Sequence, residues 1–185
     1  MAHAAVFRAT HRSRRHAAPD VLREGVSQAV VVVGGDVVPG PMPCESVSVL
    51  LELSIPVRFI QGNGERDIVA LNRGDELSRV PERFRDAMHW VANQLPAEYL
   101  SEFESWPQTT RIDIPGLGNV LFCHATPRDD KEVFTRLTPE DRLRPIFEAT
   151  NAAVVICGHT HMQFDVKHPA PELQMLEVFE AAAPR

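Results

Sequence analysis

Val154-Val155-Ile156-Cys157-Gly158-His159-Thr160-His161 is the stretch on which the reading of this chain turns. Three β-branched residues and a cysteine are too few for a helix period, and they stop at a glycine followed by two histidines. Such a run reads as a buried strand. In an α/β sheet the carboxyl ends of the strands are where ligand sites are built. Three other stretches repeat the pattern: Val31-Val32-Val33-Gly34-Gly35-Asp36, Phe59-Ile60-Gln61-Gly62-Asn63-Gly64-Glu65 and Val120-Leu121-Phe122-Cys123-His124-Ala125-Thr126-Pro127. The four strand ends deliver one carboxylate (Asp36), one amide oxygen (Asn63) and three imidazoles (His124, His159, His161). That mixture of hard oxygen and borderline nitrogen donors suits divalent metals.

Taken singly, each residue has a plainer reading. Asp36 after two glycines is a turn or capping aspartate, and Gly-Asn-Gly around Asn63 is a turn signal. His124 is different, because a core histidine needs partners for both ring nitrogens, and a strand end opening on a loop favours ligation. His159 and His161 alternate, so strand periodicity predicts both side chains on one side. The set as a whole favours a metal centre.

The order Gly-Asp, Gly-Asn-x-Glu, His-Ala-Thr-Pro, Gly-His-Thr-His resembles the calcineurin-like metallophosphoesterase superfamily, in particular its small, compact bacterial branch. The resemblance runs from Ala29 to Phe164. It implies an α/β fold, a four-layer α/β/β/α metallophosphoesterase-like sandwich of two mixed sheets. It also implies hydrolysis of phosphodiesters or phosphomonoesters by a divalent-metal-activated water. Asp36, Asn63, His124 and His159 match one complete metal position, and Asp36 with His161 matches half of a second. Glu65 matches an acidic group that orients a ligand. The implied cofactor is a divalent metal, Mn²⁺ first, with Fe, Ni²⁺ and Zn²⁺ as alternatives, as one or two ions. The implied partner is a small phosphorylated substrate.

Two departures qualify the match. The family opens with a strand ending in Asp-x-His, and this sequence contains no Asp-x-His. After Met162 there is no Asn-Pro-Gly-Ser-like turn either. The sandwich is therefore expected to be incomplete at both ends and the activity impaired. The alternative is a catalytically crippled protein of this fold acting as a binding or scaffold module. Gly64 stands where many members place a histidine that protonates the leaving group, a residue the small bacterial branch often lacks.

The 185 residues suit one domain that buries about 70% of its unfolded surface. A net charge of −6 argues against a non-specific nucleic-acid binder. No apolar stretch approaches the roughly 20 residues of a membrane span. Cys44, Cys123 and Cys157 give no disulfide framework and read as reduced thiols of a cytoplasmic protein.

The segment from Met1 to Asp20 differs in texture, rich in Ala, Arg and His with Asp20 its one acid. Residues 1–17 are expected to be irregular or disordered and residues 18–185 to form the domain. A start or frame error and genuine divergence both explain such a stretch. With no strand before it, Ala29 to Val33 is expected to present an open edge, exposing Val31 and Val33 and promoting homo-oligomers.

Elsewhere the pattern predicts a helix tail over Pro19 to Ser27, a helix over Glu45 to Leu53 and a strand over Val57 to Ile60. Helical structure follows between Asp67 and Trp106, where Val80, Phe84, Met88, Val91 and Leu95 form one apolar stripe. Thr109 to Ile114 and Asn119 to Cys123 flank Pro115-Gly116-Leu117-Gly118, a hairpin. Thr138 is predicted to cap a helix running to Thr150. Strands over Ala153 to Cys157, Met162 to Val166 and Leu173 to Phe179 complete the series.

Overall fold

Alternate residues of a strand face opposite sides of its sheet, and in the central strands of this protein both sides are buried. The computed structural model describes residues 4–8, 29–115, 117–162, 164–167 and 174–177. One sheet holds β1 (Ala4–Arg8), β2 (Ala29–Val33) and β3 (Val57–Phe59) in that order, β1 antiparallel and β3 parallel to β2. The other holds β4 (Thr109–Ile114), β5 (Gly118–Cys123), β6 (Val154–Cys157), β7 (Asp165–Lys167) and β8 (Gln174–Glu177). Its order is β4-β5-β6-β8-β7, with β5, β6 and β8 parallel and the outer strands antiparallel to their neighbours.

Val32 and Ile60 from the first sheet meet Val120, Phe122, Val154 and Ile156 from the second in one apolar cluster, so the sheets pack face to face. The alternate residues turn outward. Val31 and Val33 pack on four helices, α1 (Pro43–Leu51), α2 (Asn63–Asn72), α3 (Glu82–Gln94) and α4 (Ala97–Ser105). Leu121, Cys123, Val155 and Cys157 pack on Leu143, Ile146 and Phe147 of α5 (Glu140–Phe147). The result is the expected α/β/β/α sandwich.

Several local expectations change. β2 has partners on both sides, because Ala4–Arg8 pairs along its full length, and Val31 and Val33 are 5% and 0% exposed. The open edge and its exposed valines are therefore corrected: a strand forms within the segment read as irregular. The boundary at residues 17 and 18 and the helix tail over Pro19 to Ser27 lie outside the described residues. α1 begins at Pro43, where the missing proline N–H costs nothing. Thr138 does not cap α5; its Oγ1 accepts a hydrogen bond from the Thr135 N–H at 2.8 Å, and Pro139 holds the capping position. The helix gives way to a 3-10 turn over Glu148–Thr150 soon after Pro145, which has no N–H to donate. Among the described residues no helix is long and apolar enough to cross a membrane.

Candidate metal centre

β2 leaves its sheet through a left-handed turn, with φ +87° at Gly35 and +55° at Asp36. Glycine is required at the first position. A Cβ on Gly35 would stand 2.5 Å from the Gly62 nitrogen and 2.9 Å from Nδ1 of His124. This close passage of backbone sets Asp36 beside the start of α2, where Asn63 is the first helical residue. Asp36 Oδ1 accepts the Gly64 N–H at 2.9 Å.

Glu65, fully buried, ties the two loops together. Its carboxylate accepts the N–H groups of Gly62 at 2.8 Å and of Asp36 and Val38 at 3.0 Å. The bond to Gly62 is the glutamate half of a capping box, so the residue that starts α2 also fixes the backbone of Asp36. The helix therefore begins four residues earlier than the apolar pattern alone predicts.

β5 and β6 end side by side, and the Gly158 N–H donates to the His124 carbonyl at 2.7 Å. That link carries His159 to His124. Nδ1 of His124 lies 2.7 Å from the Gly34 carbonyl, which can only accept, so this nitrogen carries the proton. Nε2 then faces inward, 3.1 Å from Nδ1 of His159, 3.2 Å from Oδ1 of Asn63 and 3.4 Å from Oδ2 of Asp36. Donor atoms of Asp36, His124 and His159 all fall within 4.8 Å of one another. Lone pairs converge there, and an amide oxygen and a carboxylate have no proton to offer. A cation fits the centre of this group.

Charges in the site follow from burial and proximity. Burial favours the neutral Asp36, but the His124 hydrogen bond and charge outweigh it and hold the carboxyl below its ordinary value. Burial opposes the charge on His124 as well, yet the hydrogen bond and charge of Asp36 raise it. Glu65 is pushed up to about 7 by burial and by the charge of Asp36, against its three backbone donors. His159 is lowered, by burial first and then by the charge of His124. These directions favour an ion pair of Asp36 carboxylate and His124 imidazolium, 3.4 Å apart.

His161 stands apart from the Asp36, His124 and His159 group. It is exposed, and both it and His159 lie beyond the end of β6 with positive φ, +56° and +73°. Strand alternation does not extend to them, so their positions follow from these left-handed residues and not from the strand period, and the charge of His161 still acts on His159. Gly64 leaves no room for a side chain, because a Cβ would come within 1.9 Å of the Val38 carbonyl oxygen.

Asn63 and His159 also line a cavity of about 350 Å³, together with Asp67, Arg79, Phe84 and Lys131. Lys131 Nζ pairs with Asp67 Oδ2 at 2.8 Å and donates to the Arg79 carbonyl at 3.0 Å. Arg66 bridges Asp67 and Asp130, and Arg79 pairs with Asp129. These rim residues were missed from the sequence. The charged run Asp129-Asp130-Lys131 after His-Ala-Thr-Pro was the available signal.

The model of the calcineurin-like phosphoesterase superfamily domain matches residues 3–175. The chain belongs to that superfamily. Membership extends the resemblance beyond Ala29 and Phe164 on both sides, and it suggests phosphoester hydrolysis as the class of activity. Metallophosphoesterases typically bind divalent metals, and the ligand group of Asp36, His124 and His159 is consistent with that habit. Among solved structures, the chain is similar to a hypothetical protein of Pyrococcus horikoshii OT3, with TM-score 0.63 and 14% identity. It covers 74% of this chain and 57% of the other. It is also similar to a metallophosphoesterase from Sphaerobacter thermophilus, with TM-score 0.52 and 23% identity, over 78% of this chain and 62% of that one. The chain thus spans less than two thirds of either neighbour, and at these identities the likeness shows the fold alone. No curated protein matches.

Proposed function

We propose that this phosphoesterase-family chain hydrolyses phosphodiesters or phosphomonoesters of small molecules through a single complete divalent-metal position. Asp36, Asn63, His124 and His159 would hold the cation. The observation that carries the reading is their convergence on His124 Nε2 at 3.1 to 3.4 Å. Mn²⁺ is the first choice, with Fe, Ni²⁺ or Zn²⁺ also suited to an N/O set. The chemistry such a cation supplies when bound is polarisation of phosphoryl oxygens and a lowered pKa for water.

The chain's own contribution is positional. The Gly34 carbonyl fixes the tautomer of His124, so that Nε2 is the inward nitrogen and a lone pair whenever the ring is neutral. Glu65 holds the Asp36 and Asn63 loops at one separation through its backbone hydrogen bonds. The cavity beside Asn63 and His159 offers the substrate a seat next to the donors.

Turnover should be slow. No Asp-x-His supplies a second metal position, and position 64 has no space for a leaving-group acid. Losing one of two cations costs on the order of a thousandfold in rate. The alternative, a phosphoester-binding module without turnover, draws on these same two features. Buried Cys123 and Cys157, outside any disulfide, support a cytoplasmic location.

Hydrolysis of a bis-aryl phosphate and an aryl phosphomonoester, with Mn²⁺ and after chelation, tests the reading. Metal-dependent turnover below about 1 per second, lost in His159→Ala, supports it. Absence of metal-dependent turnover on both esters favours the binding module. Turnover in the hundreds per second would mean that other residues complete a second metal position.

A further inference from the structure

One residue of the α3 stripe does not join the core. Val80, Met88, Val91 and Leu95 are at most 8% exposed, whereas Phe84 is 49% exposed. It sits in the first turns of α3, and it lines the cavity that opens on Asn63 and His159. Pro39, Val80, Pro81 and Met88 complete an apolar wall around it. The Arg83 guanidinium lies over the Phe84 ring, 4.7 Å from its centroid, and holds the side chain in place. An aromatic left at the mouth of a cavity, rather than folded into the neighbouring core, is positioned to be covered by something else.

We propose that this wall seats the organic group of the phosphoester, that the group is a flat apolar ring, and that Phe84 determines the preference for it. The inference rests on reading the neighbouring donors as a phosphoesterase centre, and it names the substrate class of that centre. Because Asn63 and His159 line the same cavity as Phe84, one molecule can present its phosphoryl end to the donors and its ring to the wall. The volume of about 350 Å³ is near the lower end of ligand pockets, roughly 300 to 1,000 Å³, which suits one ring system and not a long chain. Rings stack offset or edge-to-face on phenylalanine, a contact that alkyl groups cannot reproduce. The cations at the rim, Arg79 and Lys131, are each paired with aspartates, so the wall selects by shape and apolarity and not by charge.

The test is calorimetric titration of the full chain loaded with Mn²⁺, using phenylphosphonate and methylphosphonate, whose P–C bonds resist hydrolysis. Wild type is expected to bind the phenyl compound about tenfold more tightly. Phe84→Tyr should keep that preference and Phe84→Ala should reduce it to about twofold or less, with thermal melting showing that both variants fold. Equal affinities in wild type, or a preference that survives Phe84→Ala, overturn the proposal. Hydrolysis measured in parallel separates the two levels of inference. Equal phosphonate affinities with metal-dependent hydrolysis intact overturn the ring-binding wall alone. No phosphonate binding together with no hydrolysis overturns it along with the phosphoesterase reading.

Discussion

Nε2 of His124 lies 3.1 Å from Nδ1 of His159, the two rings edge to face with centroids 5.1 Å apart. His124 spends its other nitrogen on the Gly34 carbonyl, so a neutral His124 brings only a lone pair to this contact. With Asn63 Oδ1 and Asp36 Oδ2 close to the same nitrogen, a positive charge, whether a proton or a metal ion, stabilises this cluster of acceptors.

Metal content follows directly. The protein purified in Mn²⁺ or Zn²⁺ should carry at least one ion, and His159→Ala or Asp36→Asn should lower occupancy tenfold or more under equal conditions, as loss of a first ligand does. Atomic absorption after gel filtration measures it. Equal metal in wild type and both variants would sink the assignment.

A metal bound at the centre would compete with a proton there, and metal-free stability should show an unusual pH trend. His124 is raised above its ordinary 6.5 by Asp36, after burial has been overcome, and Glu65 is raised from 4.5 to about 7 by burial and the Asp36 charge. Both groups hold protons more tightly folded than unfolded. Their contribution is complete below the unfolded values and is lost as pH rises through the folded ones. His159, lowered, works the other way below its ordinary 6.5, but it is one group against two, and the chelated protein should melt at a lower temperature at pH 8 than at pH 6. A bound cation replaces the proton and offsets the Asp36 charge, so the metal-loaded protein should lose less over the same interval. Calorimetric melting of both forms across this range checks the sign; a chelated protein that gains stability from pH 6 to 8 contradicts it.

Gly64→Ala places a Cβ where the Val38 carbonyl oxygen stands 1.9 Å away and Pro39 Cδ 2.8 Å away. Backbone must move on one side, at a cost of about 3 kcal/mol or more, and metal affinity should fall because α2 carries Asn63. Urea unfolding measures the first effect. A change under about 0.5 kcal/mol would show that the loop yields freely.

Two phenylalanines should behave oppositely. Phe122, 2% exposed between the two sheets, should cost about 3 to 5 kcal/mol on truncation to Ala. Phe84→Ala, at a half-exposed site, should cost about 1 kcal/mol. Denaturant midpoints at constant slope decide it.

Removing residues 1–8 would strip β1 from β2 and leave the backbone of Ala29–Val33 unpaired on that side. The truncated protein should self-associate, as open edges do. Light scattering against concentration reports this, and a truncated protein that stays monomeric would count against the role given to β1.

The strand cores and the donor types were legible in the sequence because both are local. Runs such as Val31 to Val33 and Val154 to Cys157 read as strands of a covered α/β sheet, the sandwich itself being what the family resemblance implied, and a glycine followed by Asp, Asn or His marks where each run ends. The hairpin around Pro115 to Gly118 was equally local, its turn residues lying next to one another. Tertiary structure alone decided the rest. The pairing of Ala4–Arg8 with β2 depends on a partner some twenty residues away along the chain, which no window of alternation around either strand reveals. The start of α2 at Asn63 depends on a glutamate that caps one loop while holding another. The backbone at His159 and His161 is left-handed beyond β6, where strand alternation no longer governs direction. Phe84 shared the period of a buried stripe, yet it is half exposed and lines the cavity although Val80 before it and Met88 after it are buried. The groups able to bind a metal were readable from residue type alone; long-range backbone contacts, costly to bring together and invisible to any local pattern, decided which of them meet.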